Sequence, residues 1–163
     1  MKRIYLSGEI NEEMLQRFID FSNELSPDDD IEVWLESEGG YCVFAEALRL
    51  IFQSYAPDRI SLVGVCSLHS AALDLFVSTD CSKVLIPGTI GMVHTISRSA
   101  KVGYDGKIKT KFSMDKLLTN VKYPMVEKME KLIKKNLTNE EYAKYLDNED
   151  VYLTTEEIEK FLT

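Results

Sequence analysis

The chain has 163 residues, of which 45% are hydrophobic and 28% are charged, and its formal net charge is -8. A chain of this length can bury roughly 70% of its unfolded surface, so it can form one domain with its own core. Its composition excludes disorder and collagen-like repeats. Because 27 acidic residues face only 19 basic ones, the surface field repels phosphate backbones and anionic lipids, and we expect neither nucleic acid nor a membrane as partner.

Cysteine usage and the N-terminal sequence indicate the compartment. Cys42, Cys66 and Cys81 are odd in number and lack CxxC spacing, which predicts free thiols in a reducing environment. The first residues contain no apolar stretch typical of a secretory signal, and no segment has the length and hydropathy of a membrane span. We therefore expect a cytoplasmic protein.

The first half of the chain predicts strands that alternate with helices. Short apolar runs predict strands at residues 4–6, 31–35 and 60–65. Apolar residues at helical spacing predict helices that begin after Asn11, at Tyr41 and at Ser70. Continuous apolar strands between helices are typical of a parallel sheet that is covered on both faces. The sequence thus predicts an α/β fold.

The second half predicts further strands, a hairpin and three helices. We expect short strands at residues 83–86 and 91–94, and a β-hairpin around the Asp105-Gly106 turn. A long amphipathic stripe follows at residues 113–135, and Pro124 should kink or interrupt it. Capping-box spacings start the last two helices and leave residues 148–153 as a connector; the pairs are Thr138 with Glu141 and Thr154 with Glu157. No repeat or linker divides the chain, so we expect a single domain, 1–163.

Three features could carry chemistry, and each has a simpler structural explanation. The Gly39-Gly40 pair after a buried strand could expose backbone N–H groups, although an isolated pair is more often only a turn. Ser70 at a helix start could be a nucleophile, but position alone favours a helix N-cap. His94 at a strand end is more often a structural residue. The sequence has no HExxH motif and no phosphate-binding loop, so we expect no metal and no cofactor.

Taken together, these segments resemble a known family. The region from Ser37 to Leu162 resembles the proteolytic subunit of the Clp protease, a serine peptidase of the crotonase-like fold. The turn Ser-Glu-Gly-Gly at residues 37–40 is similar to the family's Ser-Pro-Gly-Gly, and the segment ISLVGVCSLHSAALDLF at residues 60–76 is similar to its strand and nucleophile-bearing helix. Met92-Val93-His94 and the run from Asp150 to Glu157 match its histidine and acid segments in the same order.

The resemblance implies a crotonase/Clp-protease-like ββα superhelix with a projecting hairpin-plus-helix handle at approximately residues 95–136. It implies a serine endopeptidase whose catalytic triad is Ser70, His94 and Asp150, with backbone N–H groups of Gly40 and Ala71 as the oxyanion hole. It also implies a homo-oligomeric ring that cuts short peptides or unfolded protein chains without a cofactor. An AAA+ unfoldase is a possible partner, but the chain begins near its first core strand, which argues against that partner.

Several residues depart from the family pattern and leave other functions open. Leu68 and His69 replace small residues before the nucleophile, Glu38 replaces the proline of the glycine turn, and Glu149 replaces an arginine before the acid. His69 could obstruct the serine or act as a pH-sensitive neighbour. These departures suit a catalytically inactive Clp-like ring or assembly subunit. An acyl-CoA-processing enzyme of the wider crotonase-like superfamily is a further alternative, which the triad-like set and the short chain disfavour.

Overall fold

A computed structural model describes residues 1–26, 28–95 and 123–163. In this part of the chain six strands and six helices follow one another. The strands are β1 Lys2–Ser7, β2 Ile31–Ser37, β3 Ile60–His69, β4 Ser82–Leu85, β5 Ile90–Val93 and β6 Val151–Leu153. The helices are α1 Glu12–Asn23, α2 Cys42–Phe52, α3 Ala71–Ser78, α4 Pro124–Asn136, α5 Asn139–Leu146 and α6 Thr155–Lys160.

The six strands form one mixed sheet. Its order is β1-β2-β3-β5-β6, and β4 pairs with β3 beside that path. All pairs are parallel except β5 with β6, which is antiparallel. The α/β fold class is therefore confirmed. The prediction of a connector at residues 148–153 was wrong for its last three residues, because β6 is a strand that only its pairing with β5 defines.

Strand β3 is longer than predicted and bends in the middle. Its register with β2 shifts from Leu35 opposite Gly64 to Ser37 opposite Leu68, so β3 carries extra residues at a bulge. Before the bulge β3 pairs with β4, and after it Ser67–His69 pairs with β5. At the bulge β3 thus changes its pairing partner from β4 to β5, so the end of β3 lies next to the end of β5.

The core lies between the sheet and its helices. Phe18 of α1 and Phe52 of α2 pack edge to face with ring centroids 4.8 Å apart, and every residue of α3 except Asp74 is buried. Helix α4 adds the buried Met125, Met129 and Ile133 to the same cluster. Packing of α4 against α3 therefore closes one side of the domain, next to Ser70 at the start of α3.

Local signals in the sequence set the helix starts. The Asn11 side chain accepts a hydrogen bond from the Met14 amide at the start of α1, and both predicted capping boxes form at α5 and α6. Pro124 is the first residue of α4, where its missing N–H costs nothing. The predicted hairpin and most of the predicted handle lie outside the described residues. Within those residues, no helix has the length and apolar character needed to cross a membrane.

Candidate active site

Ser70 lies at the corner between β3 and α3, in a strained backbone conformation. Its φ is 53° and its ψ is -125°, a region that non-glycine residues rarely occupy. The Ser70 amide donates to the Met92 carbonyl at 2.8 Å, which fixes the corner against β5. The side chain makes no capping hydrogen bond to α3. The N-cap interpretation is therefore wrong for the hydroxyl, which is directed to another partner.

That partner is His94, the residue after β5. Its Nε2 lies 2.7 Å from the Ser70 Oγ. The register of β3 with β5 explains why Ser70 and His94 lie close together. His69 pairs with Met92, and because the two strands are parallel, the residues that follow them leave the sheet at the same end. His94 is half-buried. When Nε2 accepts the hydroxyl proton, the imidazole proton sits on Nδ1, the tautomer that a serine-activating histidine requires.

The glycine turn lies next to the serine and presents an unbonded amide. Gly40 forms an isolated parallel β-bridge with Ile10, in which the Ile10 amide donates to the Gly39 carbonyl and the Tyr41 amide donates to the Ile10 carbonyl. The Gly40 amide and the Ala71 amide, the first of α3, make no hydrogen bond within the described part of the chain. Both are available as oxyanion donors.

Each glycine of the turn is required for a different reason. A Cβ at Gly39 would lie 2.9 Å from the Ser70 Cβ and 2.8 Å from the His69 carbonyl oxygen. A Cβ at Gly40 would lie 2.3 Å from the Ile10 carbonyl oxygen, so the absent side chain there serves close packing of the backbone. Gly39, and not Gly40, is the residue whose side chain would crowd the serine.

Asp150 is placed beside His94 but is not hydrogen-bonded to it. Val93 pairs with Val151 in the antiparallel ladder, so His94 and Asp150 follow at the next opposed positions. Asp150 is exposed, and among the described residues no hydrogen bond joins it to His94. The Thr95 hydroxyl donates to the Asn148 side chain at 2.5 Å, which ties the two segments together. The structure therefore brings together two of the three predicted triad residues and leaves the third at a neighbouring position.

A cavity of about 80 Å³ opens beside Ser70 and His94. Its lining contains two carboxylates that the sequence analysis missed, Asp74 of α3 and Glu130 of α4. Burial, and after it the nearby Glu130 charge, together raise the pKa of Asp74 to about 7. One signal for Asp74 was present in the sequence, since it is the one charged residue among the apolar residues of α3.

The cavity also contains a thiol, Cys42. Burial and the Asp74 charge raise the pKa of Cys42 to about 11, so the thiol keeps its proton near neutral pH. A protonated thiol is a poor nucleophile. Cys42 therefore does not compete with Ser70 as the reactive group of the site.

His69 does not obstruct the serine. Its Nδ1 contacts the Glu38 carboxylate, and its ring packs edge to face on Tyr152 with centroids 5.8 Å apart. The residue is not part of the cavity lining, which Ser70 and His94 share. His69 therefore adjoins Ser70 in the chain, but its side chain contacts Glu38 and Tyr152 and does not line the cavity. Across residues 1–26, 28–95 and 123–163, no group of three or more His, Cys, Asp or Glu residues could hold a metal ion.

Comparisons with known proteins identify the fold. No protein-family model and no curated protein matches the sequence. Among solved structures, a ClpP1 mutant from Listeria monocytogenes matches with a TM-score of 0.60 and 18% identity, covering 98% of this chain and 86% of that one. A peptidase from Plasmodium falciparum matches with a TM-score of 0.66 and 13% identity, covering 98% and 91%. The chain therefore has a Clp-like peptidase fold, which confirms the expected resemblance at the level of fold.

Proposed function

We propose that this protein is a serine-type endopeptidase that hydrolyses peptide bonds in short peptides or unfolded chains. The observation that carries the proposal is the 2.7 Å contact between the Ser70 Oγ and the His94 Nε2 at a strained strand-to-helix corner. A serine that served only the helix would cap it, whereas this hydroxyl is bonded to a base. The Clp-like peptidase fold adds support.

The mechanism follows from the positions of the groups. His94 Nε2 takes the hydroxyl proton as the Ser70 Oγ attacks the substrate carbonyl, and the new oxyanion is bound by the amides of Gly40 and Ala71. His94 then gives that proton to the departing amine, which leaves an ester on Ser70. Water, deprotonated by His94, cleaves the ester and regenerates the hydroxyl.

Asp150 completes this mechanism as the residue that orients His94. A carboxylate at the Nδ1 proton holds the reactive tautomer and stabilises the charged imidazolium. Its position next to the Val93–Val151 pair, opposite His94, supports this assignment. Catalytic hydrogen bonds often tighten only when substrate is bound, so the observed separation is compatible with this assignment.

Assembly into a homo-oligomeric ring is part of the proposal. Three strands of the sheet expose large apolar side chains, namely Val84 of β4, Ile90 of β5 and Tyr152 of β6, at 48%, 49% and 60% exposure. Apolar groups of this kind on neighbouring strands are typical of surfaces that another subunit covers. An enclosed ring would admit short or unfolded chains and exclude folded ones.

The experiment is hydrolysis of an internally quenched peptide library by the native protein and by two variants. Ser70→Ala and His94→Asn should each lower the rate by about ten-thousand-fold or more, as losing a triad member does. His69→Asn is the matched control, since His69 is the other of the chain's two histidines, and it should retain activity. Hydrolysis that survives Ser70→Ala would refute the proposal.

One observation favours a second candidate, a noncatalytic ring or assembly subunit. The exposed Asp150 carboxylate is not engaged with His94 among the described residues. In that case the serine and histidine would remain paired but would not reach the reactive state. Labelling of Ser70 by a fluorophosphonate separates the two candidates, because an inactive subunit would not form the adduct.

A further inference from the structure

The cavity beside Ser70 and His94 has a divided lining. Its α4 wall supplies the apolar side chains of Val126, Met129 and Ile133. The same helix also supplies Glu130, and α3 supplies a second carboxylate, Asp74. The volume of about 80 Å³ is several times the roughly 10–15 Å³ that one water requires. The cavity can therefore receive a side chain with an apolar stem and a polar end.

Asp74 is placed for contact with a residue bound at the serine. It lies one helical turn after the nucleophile, and its amide donates to the Ser70 carbonyl at 3.1 Å. Four residues of helix correspond to about 6 Å along the axis. An extended lysine or arginine side chain can cover this distance. A substrate whose carbonyl sits at Ser70 can thus place its own side chain against Asp74.

Asp74 is half-buried in the lining of the cavity, and its carboxyl has no protein partner there in the described part of the chain. It forms no hydrogen bond and no ion pair with any described residue. Glu46, a buried acid of the described chain, is held by the Arg49 guanidinium through contacts of 2.9 and 2.6 Å. Buried acids are normally paired in this way. Asp74 instead faces a second acid, Glu130, across the cavity that opens at Ser70.

Two carboxylates that line one cavity repel each other, and a cation between them would remove that repulsion. Burial and Glu130 together raise the pKa of Asp74 to about 7, so the free site holds its negative charge at an energetic cost. A bound ammonium or guanidinium group would favour the ionised form and replace the missing partner. The apolar α4 wall would contact the stem of the same side chain.

We propose that this cavity is the acidic specificity pocket of the enzyme, in which Asp74, assisted by Glu130, selects a lysine or arginine as the substrate residue that contributes the cleaved carbonyl. The proposal rests on the peptidase function proposed above and deepens it. Asp74 and Glu130 would bind the substrate side chain, whereas Ser70 and His94 would cleave the peptide bond. A neutral side chain of the same length would leave the two carboxylates without a partner.

A binding experiment tests the pocket without catalysis. It uses the Ser70→Ala protein at pH 8 and two fluorescein-labelled peptide amides that differ at one residue, arginine or its neutral isostere citrulline. Fluorescence anisotropy should show the arginine peptide bound at least about 30-fold more tightly, the smaller end of what losing one partner of a buried charge pair costs. Adding Asp74→Asn should abolish the difference. Equal affinities for the two peptides in the Asp74-containing protein would overturn the proposal.

Matched variants separate the pocket from the overall charge. Asp80→Asn removes one negative charge at an exposed residue after α3 that does not line the cavity, and the arginine preference should persist. Glu130→Gln changes an exposed residue of α4 and should reduce the preference without abolishing it. Circular dichroism of each variant checks that it folds. A preference that Asp80→Asn lowers as much as Asp74→Asn would also overturn the proposal.

A chemical experiment keeps this inference distinct from the proposed function. Intact-mass spectrometry follows phosphonylation of Ser70 by peptidyl diphenyl phosphonates that carry a lysine-like or a norleucine side chain. We expect the lysine-like reagent to react at least about 30-fold faster. Adducts at equal rates would leave the peptidase standing and overturn the pocket. A citrulline–arginine difference that depends on Asp74, in a protein that no phosphonate labels, would leave the pocket standing and overturn the peptidase.

Discussion

Ser70 occupies a backbone conformation that stores strain, and its surroundings hold it there. Two features support it: the hydrogen bond that the Ser70 amide donates to the Met92 carbonyl, and the absence of a side chain at Gly39. The sequence predicted a serine at this corner, but its position alone favoured a helix N-cap over a nucleophile. Whether Ser70 caps the helix or contacts a base depends on its φ and ψ and on its distance to His94. These follow from the bulge in β3 and from the register of β3 with β5.

The support from Gly39 can be measured against a matched glycine. Gly39 and Gly8 have nearly equal φ values, 95° and 97°, but a Cβ at Gly8 would meet nothing within 4 Å. Gly8→Ala should therefore cost only backbone strain, about 1–2 kcal/mol of unfolding free energy. Gly39→Ala should cost a further 1–3 kcal/mol or so from crowding of Ser70 and His69, and should slow Ser70 phosphonylation by about tenfold or more.

Urea unfolding and intact-mass labelling measure the two effects of this prediction. Equal unfolding free energies and equal labelling rates for Gly39→Ala and Gly8→Ala would contradict it. They would show that the close approach of Gly39 to Ser70 affects neither stability nor the reactivity of Ser70.

Asp74 should make stability depend on pH. Folding raises its pKa to about 7 from an ordinary value of 3.8, chiefly through burial. Between these values the folded state binds the proton and the unfolded state does not, so stability falls as pH rises. The neutral side chain of the Asp74→Asn variant does not titrate, so the variant does not lose stability in this way. Its free energy of unfolding should therefore rise relative to that of the native protein from about pH 4 to pH 7, by on the order of 4 kcal/mol, and the difference should remain constant above pH 7.

Chemical denaturation at several pH values measures this difference. The other titratable groups of the cavity lining are Cys42, His94, Glu130 and Tyr145. They are common to both proteins, so the difference isolates the Asp74 carboxyl. Asp80→Asn, an exposed position, should show no such trend. A difference between the native protein and Asp74→Asn that is the same at pH 4 and pH 8 would contradict the account.

At the scale of elements, the strands and helices with strong local signals were predictable. Asn11, Thr138 and Thr154 cap the helices that their spacing predicted. β6 was not predictable, because three residues carry little periodicity and the strand exists only through its pairing with β5. The acidic pocket was not predictable for a similar reason, since Asp74 and Glu130 are far apart in sequence and meet only when α4 packs on α3.

Packing of α6 on β5 supports β6 and can be tested through Gly91. A Cβ at Gly91 would lie 2.9 Å from the Ile158 Cγ1 and 3.0 Å from its Cδ1. Gly91→Ala should therefore destabilise the protein by about 1–3 kcal/mol, and Ile158→Ala by about 2–5 kcal/mol through the space it leaves. The double variant should lose less than the sum of the two, because the truncated residue makes room for the new methyl group. Additive losses in urea unfolding would show that the two residues do not meet.

At the scale of the whole molecule, the proposed enzyme would have its catalytic residues at one end of the sheet and its specificity pocket at the contact between α3 and α4. Such a division would let the pocket change without disturbing the Ser70–His94 pair. The proposed ring would then cover the apolar side chains on β4, β5 and β6, whose exposure in a single subunit is otherwise costly.

Assembly is tested by light scattering after size exclusion. We expect a mass several times the 18.6 kDa of one chain. Ile90→Lys should lower that mass, since it places a charge on an apolar surface that is 49% exposed in one subunit. A native protein that remains a monomer at tens of micromolar would contradict the ring.

The most direct test of the central claim, that His94 activates Ser70 as a nucleophile, is intact-mass labelling with a small fluorophosphonate. We predict one adduct per chain on the native protein, none on Ser70→Ala, and labelling slowed by orders of magnitude in His94→Asn but retained in His69→Asn. A native protein that forms no adduct in its assembled state, or an adduct that persists in Ser70→Ala, would contradict the account.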